Sequence, residues 1–299
     1  MSREQANEAA LDLVWSLWTE LGVPGPRRSH RRAAVDPERL LVATPAIAAA
    51  DPRLEDLVFS WCAQHAHRLS ASRLATLLSA AAPDERVAAE GFLGELAGEG
   101  VVLAKVALVP LARPRARRAL VVPVERPALL RLRVRGLVGV GGRADVLFAL
   151  LSSTEQWQSA SQLDDVGIAK RNIARILAEL AEAGVVHDRS RGNVREFRLA
   201  NPQALGEVVA RGDVVAPDWR AVFAWMRVTT ELAGLSADRP ATSLVEVARR
   251  RKEVMALGVS LGVALPRGEE VVEPEAFVAW MVAGARLLAS GTAAAVVGA

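Results

Sequence analysis

Apolar residues recur along most of the chain at the spacing of a single helix face. Near the start, Leu11, Val14, Trp15, Trp18 and Leu21 fall on one side of a helix, and this tryptophan-rich face is expected to be core. Asp36-Pro37-Glu38 has the form of an N-cap followed by proline at the first helical position, and Asp51-Pro52 repeats it. Helices are expected from there to about Gly100. After Asn201-Pro202 the helical pattern returns. Trp219, Val222, Phe223 and Met226 make one stripe, Val245, Ala248, Lys252 and Met255 run along a second helix, and Pro274 to Leu288 is a third amphipathic segment.

Between these helical regions the texture changes twice. From Leu129 to Arg135, leucine or valine alternates with arginine, the period-two pattern of a half-buried strand. Around it, from Arg113 to Arg143, nine arginines face one acid, Glu125. Such a run is either a solvated arginine face or a phosphate-contacting surface, and Arg113, Arg115, Arg117 and Arg118 are its candidate phosphate contacts.

The second change begins at Arg143. Val146, Leu147, Leu150 and Leu151 give a first helix over Arg143 to Leu151, and Ser159 to Leu163 reads as a short, serine-capped second helix. Val166-Gly167-Ile168 supplies a glycine turn, and Ala169 to Ala183 a strong third helix stopped by Gly184. Val185 to Arg189 and Val194 to Leu199 follow as two short strands. Three helices and a glycine-turned hairpin are the parts of a winged helix-turn-helix. At about 100° per residue, Ile173, Ile176, Leu177 and Leu180 of the third helix share the core face. Arg171 and Arg175 then point the other way with Ala174 and Ala178 between them, flanked by Lys170 and Asn172. Recognition helices present such N-terminal residues to base edges, where arginine pairs with guanine and asparagine with adenine. Arg189, Arg191 and Asn193 in the wing, with Ser159, complete the candidate DNA-binding set. The bland alternative is a solvated helix face, and the charge over Arg143 to Leu199 balances at eight basic and eight acidic residues.

The run GVGGRADVL from Gly139, IAKRNIARIL from Ile168 and AGVV from Ala183 resemble bacterial winged-helix regulators of the MarR/ArsR type. The resemblance covers about a fifth of the chain and implies dimers on palindromic duplex DNA. The flanks around Val35 and Asp51 are similar to uncharacterised bacterial proteins with the same central winged helix, and winged-helix antitoxins of abortive-infection systems are a more distant likeness.

Composition narrows the classes further. Hydrophobic residues make up 51% and charged residues 24%, ordinary values for a globular chain. The formal charge is only +3, but arginine outnumbers lysine and the pI is about 9.7, mildly favouring a polyanionic partner. The single cysteine, Cys62, excludes an intrachain disulfide and suits a reducing cytoplasm. Neither terminus has the form of a signal peptide or a membrane span. Cys62, His65 and His67 carry metal-ligand types, but a structural zinc site wants four ligands, and no fourth lies nearby. Gly136, Gly139, Gly141 and Gly142 depart from the G-x-G-x-x-G spacing of a dinucleotide site, and Asp145 lacks the second carboxylate that a nucleotidyltransferase would need.

The sequence therefore predicts a mainly α protein with a small β component, a central winged helix-turn-helix flanked by helical domains. Its expected parts are an N-terminal helical domain (1–110), an arginine-rich β connector (111–142), the winged helix-turn-helix (143–201) and a C-terminal helical domain (202–299). The expected function is a non-enzymatic, cytoplasmic regulator on double-stranded DNA, without cofactor, bound metal or membrane contact, with a homodimer or a protein partner as its candidate assembly. The rival expectation is an adaptor or antitoxin-like component of a bacterial antiviral defence system, its winged helix bound to a protein partner.

Overall fold

The computed structural model describes residues 3–26, 30, 32–110, 115, 118–153, 157–163, 166–238 and 240–290. The protein is mainly helical with one small antiparallel sheet. Helices α1 (Arg3–Glu20), α2 (Pro37–Ala48), α3 (Pro52–His65), α4 (Ala71–Ala80) and α5 (Pro83–Gly98) come first. Helices α6 (Leu130–Val138) and α7 (Gly142–Ser152) lead to strand β1 (Gln158–Ser159), helix α8 (Lys170–Glu182) and the hairpin β2 (Val186–Arg191) and β3 (Val194–Leu199). The chain ends in α9 (Pro202–Val208), α10 (Trp219–Asp238), α11 (Pro240–Ser260), α12 (Glu269–Val272) and α13 (Pro274–Ala289).

Helix starts follow the expected chemistry. The Asp36 carboxylate accepts from the Arg39 amide at 3.2 Å and Asp51 from the Arg53 amide at 3.2 Å, each with proline at the first helical position. The apolar faces of these helices then build two cores.

The first core joins the two ends of the chain, because α1 packs on both α10 and α13. Trp18 and Trp61 lie fully buried and edge-on, their centroids 5.4 Å apart. Each indole N–H finds an acceptor, Thr44 Oγ1 at 2.8 Å for Trp18 and the Leu21 carbonyl at 2.9 Å for Trp61. Trp225 and Trp280 repeat the edge-on arrangement at the other end, 5.2 Å apart. The second core gathers Val134, Val146, Phe148, Ile173, Leu177 and Phe197 from α6, α7, α8 and the sheet.

Three local expectations are overturned. Leu129 to Arg135 is helical, not a strand. The alternation suggested a wet arginine face, yet Arg131 and Arg135, four residues apart, are 5% and 3% exposed. Carboxylates distant in sequence receive them, while Leu132 enters the first core and Leu130 and Val134 the second. The short helix expected at Ser159 to Leu163 is instead the end of β1 followed by a turn. Ser159 pairs with Glu196 across the sheet, and its amide donates to Gln162 Oε1 at 2.8 Å. On α11 the helical period holds but its phase does not: Val245 is exposed, and Val247 and Val254 are fully buried in its place.

Candidate nucleic-acid interface

Helix α8 begins where Gly167 adopts a φ of +73°, a conformation that side-chain-bearing residues rarely hold. It ends before Gly184, whose φ is +71°. Between them Ile173, Ile176, Leu177 and Leu180 are buried, as their spacing predicts. Lys170, Arg171, Asn172 and Arg175 are exposed together on the other side. Lys170 and Arg171 have no ion-pair partner among the described residues. Arg175 bonds Glu179, which also accepts from Arg143 Nη2 at 3.0 Å. Hydrogen bonds from Arg143 and Arg175 hold the Glu179 carboxyl below the usual carboxylate range. Exposed pairs of this kind are weak and leave the guanidinium exchangeable. The positive charge thus sits at the first turn of α8, where the helix dipole also favours an anion.

The sheet runs in the order β1-β3-β2, antiparallel throughout. Phe197, Leu199 and Val186 are buried beneath it. Gly192, with φ of +60°, turns the hairpin and leaves Arg191 and Asn193 exposed at its tip. On the outer face Arg189 bonds Glu196 at 2.7 Å and lies over the Trp157 ring at 4.2 Å, with Arg198 over the same ring at 4.7 Å. Sequence reasoning passed over Trp157 and Arg198. No local signal marks them, because it is the β1–β3 pairing that brings the ring to both arginines.

Other expected contacts lie elsewhere. Ser159 is buried, its hydroxyl bonded within the 159–162 turn, so it presents nothing to a ligand. Arg115 also corrects the expectation. Its side chain is 3% exposed, its Nη2 donates to Glu55 and Glu95 at 2.6 Å each, and its guanidinium stacks on Phe59 at 4.7 Å. It ties α3 to α5 and has no face for a phosphate. Arg118 is exposed, but its backbone amide donates to Ser60 Oγ on α3, placing it on the helical body. Arg113 and Arg117 lie outside the described residues.

What positions α8 is a feature the sequence hid. Three acids and three arginines, Asp36, Glu38, Asp145, Arg73, Arg131 and Arg135, are buried together where α2, α4, α6 and α7 meet. Arg73 grips Asp36 with both terminal nitrogens, at 2.6 and 2.5 Å, and reaches Glu38 at 3.0 Å. Arg135 holds both oxygens of Glu38, at 2.6 and 3.0 Å, and meets Arg131 on Asp145 Oδ1 at 2.8 Å each. Arg73 Nε also donates to the Val166 carbonyl at 2.7 Å, one residue before the Gly167 turn. Formal charges cancel within the cluster. Burial alone would raise the Asp36 carboxyl, but Arg73 and Arg131 outweigh it and hold it well below the carboxylate range. Glu38 is likewise lowered, burial being overcome by Arg135 and Arg73. Asp145 Oδ2, Arg131 Nε and Arg135 Nε remain buried without a hydrogen-bond partner.

The remaining candidate chemistry resolves structurally. Cys62 is fully buried, and burial pushes its thiol far above its ordinary range. His65 Nε2 bonds the Leu120 carbonyl at 2.9 Å. Among the described residues, no group of three or more histidine, cysteine, aspartate or glutamate side chains is placed to hold a metal ion. Gly139 and Gly141 shape the bend between α6 and α7, while Asp145 is consumed by the ion cluster. No helix among the described residues is long and apolar enough to cross a membrane. Comparison with protein-family models, with curated proteins and with solved structures finds no match to this chain.

Proposed function

We propose that this chain is a transcription regulator that reads duplex DNA through a winged helix, with α8 as its reading helix. The observation that carries the reading is the exposed cations Lys170 and Arg171, without an ion-pair partner among the described residues, together with Asn172 on the first turn of a helix whose other face is core. The chain order α7, β1, α8, β2, β3 and the sheet order β1-β3-β2 support a winged helix in which a turn replaces the expected second helix. Arg171 and Asn172 are the base-reading candidates, since their forks match guanine and adenine edges in the major groove. Lys170, Arg175 and, from the hairpin, Arg189, Arg191 and Asn193 are the phosphate or minor-groove contacts. Selection of bound duplexes from a random pool tests this directly. A shared sequence should emerge from wild type and lose its definition with Arg171→Ala/Asn172→Ala. Two-fold symmetry in that sequence would report a dimer. Recovery of no preferred sequence would remove the regulator reading.

A second reading, an adaptor that docks on a partner protein, is favoured by one observation: Leu137, Val138 and Val140 lie exposed together beside the second core. A complex insensitive to salt would favour it, because phosphate contacts release counterions and weaken steeply as salt rises.

A further inference from the structure

A cavity of about 500 Å³ opens between α2, α4, α5 and α10 and closes against the turn that precedes α8. Its volume is within the range of small-molecule sites. Leu77 and Phe223 line it with apolar surface, and Arg39, Arg220 and Arg227 share the lining with a single carboxylate, Glu85. Arg227 pairs with Glu231 at 2.8 Å and Arg39 with Asp36 at 3.5 Å. Arg220 has no ion-pair partner among the described residues. Burial raises the Glu85 carboxyl above its ordinary range, against the pull of Arg227 and Arg39. Apolar surface lined together with three arginines suits an amphipathic anion, because arginine binds carboxylate and phosphate oxygens through a planar fork.

Gly167 also lines the cavity, and a Cβ built there would lie 3.2 Å from the Arg73 side chain. Arg73 in turn holds the Val166 carbonyl, and α8 starts at Lys170. One residue of backbone therefore separates the cavity from the buried ion cluster, and that same backbone leads into the proposed reading helix.

We propose that this cavity binds a small organic anion with an apolar body, a carboxylate or a phosphate monoester, and that occupancy is passed to α8 through the 166–169 turn. The regulatory meaning rests on the DNA-binding reading; the site itself does not. Calorimetric titration of the full chain, without DNA, would use benzoate, phenyl phosphate and the neutral benzamide. One anion should bind at one site per chain, with benzamide about tenfold weaker or worse, reflecting the charge-assisted bonds it cannot make. The stronger of the two anions identifies the headgroup. Arg220→Ala, an exposed position, should weaken binding about tenfold, and Thr76→Trp at the rim should block it while the melting temperature stays near wild type. Amide exchange in 166–173 should change on saturation with the bound anion. Equal binding of benzamide, no binding of either anion at about 10 mM, a scale of affinity too weak to matter, or indifference to both variants would overturn the site. Unchanged exchange in 166–173 would overturn the coupling. Failure to bind DNA would leave each of these readouts intact and sink only the reading of α8.

Discussion

Replacing Arg135 by methionine should cost far more stability than any exposed arginine in the chain. Methionine keeps much of the volume and removes the charge. Glu38 would lose a partner that grips both its oxygens, at 2.6 and 3.0 Å, retaining Arg73 and the Ser70 amide. Asp145 would retain only Arg131 among its hydrogen-bond donors. The cluster would pass from neutral to a net negative charge, buried, with only Arg39, 3.5 Å from Asp36, at its edge to offset it. Breaking a buried pair from one side typically costs about 3–5 kcal/mol, a large fraction of a total stability of about 5–15 kcal/mol. For a chain of this size that corresponds to a fall in Tm of roughly 10 °C. Removing Arg175 from its exposed bond to Glu179 should leave stability close to wild type, since such exposed pairs contribute little. Urea unfolding followed by tryptophan fluorescence reads both. Glu38→Gln/Arg135→Met restores formal neutrality and should recover part of the loss, a coupling that a double-mutant cycle isolates. A single Arg135→Met variant within about 1 kcal/mol of wild type would refute the claim that the buried charges of this cluster depend on one another.

Two further outcomes follow from the same geometry. Asp36 and Glu38 have folded-state pKa values lowered by their arginines, so the stability they contribute is fully present above their unfolded values near 4 and is lost as pH falls below that. Acid unfolding should therefore steepen below about pH 4, and Arg73→Met should flatten that limb; a wild-type profile with no loss down to about pH 2 would contradict the assignment. Gly167→Ala places a Cβ at φ of +73° and 3.2 Å from Arg73, and should destabilise by about 1–2 kcal/mol in thermal unfolding. A neutral result there would mean that the turn before α8 is not held as described.

Elements carried by local pattern were legible in the sequence. Asp36-Pro37 and Asp51-Pro52 announced helix starts because capping acts within three residues, and Ile173, Ile176, Leu177 and Leu180 marked the core face of α8 because that face is set by period alone. What failed depended on partners far along the chain. Arg131 and Arg135 looked solvent-facing because their acceptors lie on other elements: Asp145 is on the next helix, and Glu38 lies 97 residues from Arg135. Arg115 was misplaced for the same reason, its acceptors being Glu55 and Glu95. Val245 falls on the wrong face of α11 because several phases of one period carry apolar residues there, and packing of α11 on α10 and α13 selects Val247 and Val254. Of the proposed interface, the exposure of Lys170, Arg171, Asn172 and Arg175 could be read from spacing. Trp157 beneath Arg189 and Arg198 could not, since it required the β1–β3 pairing to bring them together.

The central claim is that the exposed face of α8 binds duplex DNA. Fluorescence anisotropy on a selected duplex across a salt series tests it most directly, comparing wild type with Arg171→Ala, a side chain whose removal disturbs no ion pair among the described residues. Affinity should fall steeply with salt and weaken by about 1–3 kcal/mol in the variant, with an unchanged melting temperature. Equal affinity in the two proteins, or binding indifferent to salt, would contradict it.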